Sequence, residues 1–126
     1  MKYAINGTDI PDIHGPYSQG TSAGRLVFAS GQVAWDPDDD SRIIVGDVQA
    51  QTDRIIDIIE AILAEVKCTL EDVAQTTVYL TDIDDLEAMN EVYARRFGRP
   101  APARAVVAVS ALPLGALIEM DCIACR

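Results

Sequence analysis

The sequence from Asp47 to Val66, DVQAQTDRIIDIIEAILAEV, decides most of the fold. Its apolar residues recur three or four positions apart, as on one face of an α-helix: Val48, Ile55, Ile56, Ile59, Ile62, Leu63 and Val66. Polar residues such as Gln51, Asp53 and Glu65 lie mostly on the other side. The pattern predicts a long amphipathic helix that packs on a core by one face.

Strand patterns flank this helix in the chain. Arg25–Ser30 and Gln32–Trp35 precede it, with Gly31 as a bulge or kink between them. The acidic segment Asp36–Ser41 is rich in turn formers and predicts a loop. Val73–Leu80, rich in Thr and Val, predicts a strand after the helix.

A second helix is predicted from a cap at Asp84 or Asp85 to about Phe97, with Gly98 as its C-terminal cap. Two strands then close the chain: Ala103–Val109 and Ala116–Cys125. The order predicts an α+β fold, in which one mixed sheet carries two helices on one face.

The strand predicted around Ala105–Val109 is apolar at every position. Such a run is typical of a strand that is buried on both faces. Because two helices can cover only one face of the sheet, we expect other copies of the chain to cover the second. The sequence therefore predicts a homo-oligomer.

Composition limits the classes of function. The chain has 126 residues, which suits a single domain over 1–126, and its net charge is −10. That charge disfavours nucleic acids and acidic membrane surfaces as partners. We find no signal peptide, no apolar run that would span a bilayer and only three cysteines, so a cytoplasmic location is the expectation.

Two charged residues in apolar strands are the strongest candidates for chemistry. Arg104 offers a planar fork that matches a carboxylate, and Glu119 stands in a second apolar run. If the last two strands pair directly, these residues face each other, and Asp121 shares the face of Glu119. The alternative is that Arg104 and Glu119 form a structural ion pair.

Metal and redox sites are disfavoured. His14 is the only imidazole, and no glycine-rich phosphate loop is present. Cys122 and Cys125 match C-x-x-C, but residues three apart on a strand point to opposite faces. We expect these cysteines and Cys68 to act as small buried side chains.

Four stretches of the chain, taken in order, resemble the YjgF/Rid family of reactive-intermediate imine deaminases. They are Gly15–Gly20 (GPYSQG), Ala29–Gln32 (ASGQ), Met89–Tyr93 (MNEVY), and Pro102–Arg104 (PAR) followed by Leu112-Pro113 and Ile118–Met120 (IEM). The resemblance covers nearly the whole chain.

The resemblance implies a chorismate-mutase-like fold with a six-stranded sheet, assembled as a homotrimer with pockets between subunits. It implies that a small carboxylate substrate is held by these residues: Tyr17, Ser30, Gly31, Asn90, Arg104 and Val106. The implied reaction hydrolyses 2-imino or enamine acids such as 2-iminopropanoate and 2-iminobutanoate, with Arg104 holding the carboxylate and Glu119 handling water. Neither a metal nor an organic cofactor is implied.

One position departs from the family pattern. Many of these deaminases carry Cys two residues after the arginine, where this chain has Val106. Only backbone groups can therefore contribute polar contacts there. Other enamines, such as aminoacrylate derivatives or 2-aminomuconate, remain alternatives, as does a regulatory protein that binds small carboxylic acids. A ribonuclease function is disfavoured because the chain has no basic stripe.

Overall fold

The computed structural model describes residues 1–126 and confirms an α+β fold with a mixed six-stranded sheet. Its strands are β1 (Tyr3–Ile5), β2 (Gly20–Ala23), β3 (Leu26–Gln32), β6 (Val73–Leu80), β7 (Ala103–Ala108) and β8 (Ile118–Cys125). They lie in the order β1-β2-β3-β8-β6-β7. β6 and β7 are parallel, and all other neighbours are antiparallel.

Both helices lie on one face of this sheet. Helix α1 spans Val48–Ala64, and the side chain of Asp47 caps it by accepting a 2.9 Å hydrogen bond from the Ala50 amide. Helix α2 spans Leu86–Phe97 and ends at Gly98, whose φ is 67°. Asp85, one of the two predicted caps, is confirmed at the N-cap position of α2, but its side chain makes no capping hydrogen bond. A 3₁₀ turn, Ile83–Asp85, precedes α2, and the side chain of Asp82 caps that turn.

The segment before α1 differs from the prediction. Gln32 ends β3, and Trp35–Asp36 forms a separate strand, β4. β4 pairs with β5 (Asp39–Ile43) in a two-stranded sheet, so the predicted acidic loop is a hairpin. The bulge predicted at Gly31 is confirmed, because the register of β3 against β8 shifts between Ala29 and Gln32.

The last two strands do not pair directly, so the condition under which Arg104 and Glu119 would face each other is not met. β6 lies between β7 and β8, parallel to the first and antiparallel to the second. The physical reason is that β6, α2 and β7 form a strand–helix–strand unit, which makes its two strands parallel neighbours. The segment after β7 then carries the chain to the other side of β6.

β7 is an exposed edge strand within one chain. Val106 is half-buried, but the other five residues of β7 are exposed, so one chain alone does not bury this strand on either face. The reason is that only β6 pairs with β7 and no second layer covers its outer face. The burial of β7 by other copies stays a prediction. An apolar edge with unpaired backbone groups favours association with another chain.

Neither helix combines the length and the apolar character that crossing a membrane requires. The core lies between the helices and the sheet, and five isoleucines of α1 are completely buried there: Ile55, Ile56, Ile58, Ile59 and Ile62. Their burial explains why the periodicity of α1 dominates the sequence.

We predict that Ile59→Ala lowers the free energy of unfolding by about 2–5 kcal/mol, because it leaves a cavity beneath the sheet. Urea denaturation at fixed protein concentration measures the change. Ile83→Ala is the matched control, since Ile83 is 49% exposed. Equal losses in both variants would show that α1 does not dominate the core.

Candidate active site

Arg104 is held in place by two residues of α2. One terminal nitrogen, Nη1, donates a 2.7 Å hydrogen bond to Oδ1 of Asn90. The guanidinium carbon lies 4.7 Å from the centre of the Tyr93 ring, in cation–π geometry. Nε and Nη2 of Arg104 bind no protein group, so the guanidinium can still bind an anion through two hydrogen bonds.

The position of Tyr93 is in turn fixed by a hydrogen bond to strand β6. Its hydroxyl and the hydroxyl of Thr76 on β6 are hydrogen-bonded at 2.6 Å, and both residues are buried. Burial raises the pKa of Tyr93, whereas the Thr76 hydrogen bond and the charge of Arg104 oppose that rise. The tyrosine is therefore a neutral, rigid platform for Arg104.

A groove of about 370 Å³ opens beside this platform. It runs between the end of α2 and the start of β7, and its lining residues are Asn90, Tyr93, Ala94, Gly98, Arg99, Ala101, Pro102 and Arg104. Val106 lies two residues beyond Arg104 on the same side of β7 and packs against the core. The groove therefore presents guanidinium groups next to apolar walls.

Glu119 occupies the opposite face of the sheet. It lies beside Tyr79 of β6, is partly buried and makes no side-chain hydrogen bond. Burial, and secondarily the charge of Asp121, raise the pKa of the Glu119 carboxyl. Asp121 itself accepts a 3.2 Å hydrogen bond from the Tyr79 hydroxyl. Glu119 is thus the carboxyl on this face that is free to hold or release a proton.

Gly31 leaves the space that Glu119 uses. A Cβ atom at Gly31 would lie 2.6 Å from Oε2 of Glu119, which is closer than real Cβ contacts. The bulge of β3 brings this backbone up to the carboxylate. A larger residue at position 31 would therefore displace the Glu119 carboxylate from its position.

Ser30 anchors the loop that carries Tyr17. Its hydroxyl donates a 2.6 Å hydrogen bond to the Ser18 carbonyl, and its amide donates to the Gln19 carbonyl at 2.9 Å. Buried Gln32 adds a 2.9 Å hydrogen bond to the Gln19 side chain. Tyr17, 43% exposed, thus projects from a loop that is tied to the strand bearing Gly31.

The predicted residues therefore form two groups within one chain. The arginine group comprises Arg104, Asn90 and Val106, and the glutamate group comprises Glu119, Gly31 and Ser30 with the adjoining Tyr17. Arg104 pairs with Thr76 on the helix-covered face, and Glu119 pairs with Tyr79 on the open face. Two strand spacings, about 10 Å, also separate them. The predicted contact between Arg104 and Glu119 is wrong for a single chain.

Sequence reasoning missed Tyr93 as a support for the arginine. Tyr93 follows Asn90 by three positions, and that spacing places both on one helix face. The expected separation of the two C-x-x-C cysteines is confirmed, and so is the burial of Cys122, which raises its pKa to about 12. The burial expected for Cys125 is wrong: it is the last residue of β8 and is exposed. No group of three or more His, Cys, Asp or Glu residues is arranged to hold a metal ion.

Known proteins are similar to this chain over nearly its whole length. The family model described as endoribonuclease L-PSP, that of the YjgF/Rid proteins, matches residues 7–126. The chain belongs to the YjgF/Rid family. A RutC family protein of Pyrococcus abyssi is 48% identical over 110 residues, covering 87% of this chain and 86% of that protein.

Two further YjgF/Rid relatives have more specific descriptions. The 2-iminobutanoate/2-iminopropanoate deaminase of Mus musculus is 35% identical, covering 98% of this chain and 91% of the mouse protein. The crystal structure of E. coli TdcF with bound serine matches with a TM-score of 0.92 at 33% identity, covering 98% of each chain. The YjgF/Rid fold of this chain is therefore confirmed over its whole length.

We predict that the stability of the protein relative to Glu119→Gln falls as the pH rises. The raised pKa means that the folded state binds the Glu119 proton more tightly than the unfolded state does. The contribution is therefore fully present below the ordinary pKa of 4.5 and is lost as the pH rises through the folded-state value.

Urea denaturation of both proteins over this pH range measures the difference, and Glu87→Gln on the exposed side of α2 controls for the loss of one charge. A difference between wild type and Glu119→Gln that stays constant with pH would contradict the assignment.

Proposed function

We propose that this chain hydrolyses 2-imino and enamine acids to 2-keto acids and ammonia, in a site that two copies of the chain share. The observation that carries the proposal is a pair of complementary half-sites. A guanidinium with a free binding edge stands on one face, and a carboxyl with a raised pKa and no partner stands on the other. Neither half can bind and turn over an imino acid alone.

Association through the exposed sheet completes the site. Apolar β7 and the open sheet face favour contact with a further copy, and we propose the homotrimer typical of the family. In that arrangement Arg104, Asn90 and Val106 of one copy would meet Glu119, Gly31, Ser30 and Tyr17 of its neighbour. The pocket would then lie between subunits.

The reaction needs orientation and proton transfer. In R–C(=NH)–COO⁻ + H₂O → R–CO–COO⁻ + NH₃, Arg104 binds the carboxylate through its free edge and thereby fixes the imine carbon. Glu119 in its neutral form donates a proton to the imine nitrogen. The resulting carboxylate then accepts a proton from the attacking water, and the carbinolamine collapses with loss of ammonia.

Val106 makes the wall beside Arg104 apolar. Its side chain packs against the core, so no thiol stands beside the guanidinium. Its backbone lies on the unpaired edge of β7 and can hydrogen-bond the substrate or the neighbouring copy. The chemistry assigned to Arg104 and Glu119 does not use a side chain at this position.

The relatives support the substrate class in different degrees. The mouse protein is named for 2-iminobutanoate and 2-iminopropanoate, and TdcF holds serine, a small carboxylate. The bound serine also favours a second candidate, a sensor that binds small acids without turnover.

Net charge −10 disfavours RNA cleavage. The cytoplasmic location stays a prediction from the sequence.

We predict that Arg104→Ala and Arg104→Lys each lower kcat/KM at least about 100-fold, because a point charge cannot replace the oriented fork. The assay follows keto-acid release from imines that an L-amino-acid oxidase forms in situ. Arg95→Lys, an exposed arginine outside the groove, is the matched control. Full turnover by Arg104→Lys would show that orientation by two hydrogen bonds is unimportant. Binding without faster hydrolysis in the wild type would favour the sensor.

We also predict that two inactive variants restore each other. Mixed oligomers of Arg104→Ala and Glu119→Gln chains should regain about a quarter of wild-type activity, since random neighbours supply both intact halves at that frequency. The measurement is activity after joint refolding, with each variant refolded alone as the control. Failure to regain activity in verified mixed oligomers would place both residues of each site in one chain.

A further inference from the structure

A second arginine lines the same groove as Arg104. Arg99 follows Gly98 at the end of α2 and contributes to the lining of the 370 Å³ groove. Gly98 has a left-handed backbone with φ of 67°, which ends the helix and redirects the chain. The proline rings of Pro100 and Pro102 restrict the backbone that joins the two arginines.

Arg99 has no partner within the chain, unlike the arginines before it. Arg96 binds Asp53 at 2.6 Å and Asp57 at 2.7 Å, which fastens α2 to α1, and Arg95 lies 3.9 Å from Asp53. Arg99 makes neither a hydrogen bond nor an ion pair. Its charge is therefore available to a ligand.

The groove is locally positive in an acidic protein. The chain has 20 Asp and Glu residues against 10 Lys and Arg, yet the groove lining contains two arginines and no carboxylate. Concave sites lined by one sign of charge concentrate ions of the opposite sign. The groove thus favours a ligand with more than one negative charge.

The size of the groove agrees with a longer ligand. A volume of about 370 Å³ lies within the range of pockets that hold molecules larger than a three- or four-carbon acid. Ala94, Gly98 and Ala101 line it with little or no side chain, which leaves the groove open. A small carboxylate on Arg104 therefore leaves room for a longer ligand within the groove, whose lining includes Arg99.

We infer that Arg99 determines specificity by binding the second carboxylate of a dicarboxylic 2-imino or enamine acid, whose first carboxylate is bound by Arg104. The inference rests on the proposed hydrolysis at Arg104. It assigns the substrate class: imino acids that carry a further carboxylate on the side chain. Monocarboxylic imino acids use Arg104 alone and are the poorer substrates.

The test compares two imines formed in situ by oxidases, one from glutamate and one from 2-aminobutanoate, at matched rates of formation. Wild type should have the higher kcat/KM with the glutamate-derived imine. Arg99→Gln should lower that value at least about tenfold while changing the other less than about twofold, as expected for loss of one charge-assisted contact. Arg95→Gln removes the same charge from a nearby position on α2 that lies outside the groove, and it should change neither value.

A binding measurement separates this inference from the proposed function. Calorimetry with the stable keto acids 2-oxoglutarate and 2-oxobutanoate should show tighter binding of the first, lost in Arg99→Gln. If both imines are hydrolysed with no dependence on Arg99, the inference is overturned and the deaminase stands. If neither imine is hydrolysed but 2-oxoglutarate binds through Arg99, the specificity stands and the hydrolysis fails. Equal binding of both keto acids would overturn the inference.

Discussion

β6 lies between β7 and β8, and this strand order governs everything proposed for the site. It sets Arg104 against α2 on the covered face of the sheet and Glu119 on the open face. A side chain cannot pass through a hydrogen-bonded sheet, so the two groups cannot meet within one chain. In the proposed reaction, association of copies is therefore part of the chemistry rather than an addition to it.

The residues around each half of the site set the charge and the orientation of its functional group. Asn90 and the ring of Tyr93 hold the guanidinium without neutralising its charge, and the buried Thr76–Tyr93 hydrogen bond holds the ring. Glu119 is instead left without a hydrogen-bond donor and partly withdrawn from water, so its neutral form is favoured. The guanidinium and the carboxyl are thus kept apart within one chain, and the proposed site joins them through a second copy.

Much of the fold could be predicted from the sequence because its strongest signals are local. The periodicity of α1 and the bulge at Gly31 both depend on neighbouring residues, and the structure has them where expected. The order of β6, β7 and β8 depends on distant pairing. A short connection between the last two strands is compatible locally with a hairpin, and only the strand–helix–strand unit decides against it.

Two residues of the candidate site could be predicted from the local sequence, but their arrangement could not. Arg104 and Glu119 stand out because each interrupts an apolar run, but the face that each occupies follows from register and not from composition. Arg99 gives no sequence signal, since an arginine beside glycine and proline is typical of an exposed turn. Its relevance comes from the groove that the end of α2 and β7 form together.

The most direct test is a crystal structure of the assembled protein with the stable product 2-oxobutanoate. The expected structure has the ligand carboxylate on the free edge of Arg104 of one copy and the keto carbon beside Glu119 of the next. A ligand that contacts Glu119 without any arginine of a neighbouring copy, or an assembly that buries Arg104 away from every Glu119, would contradict it.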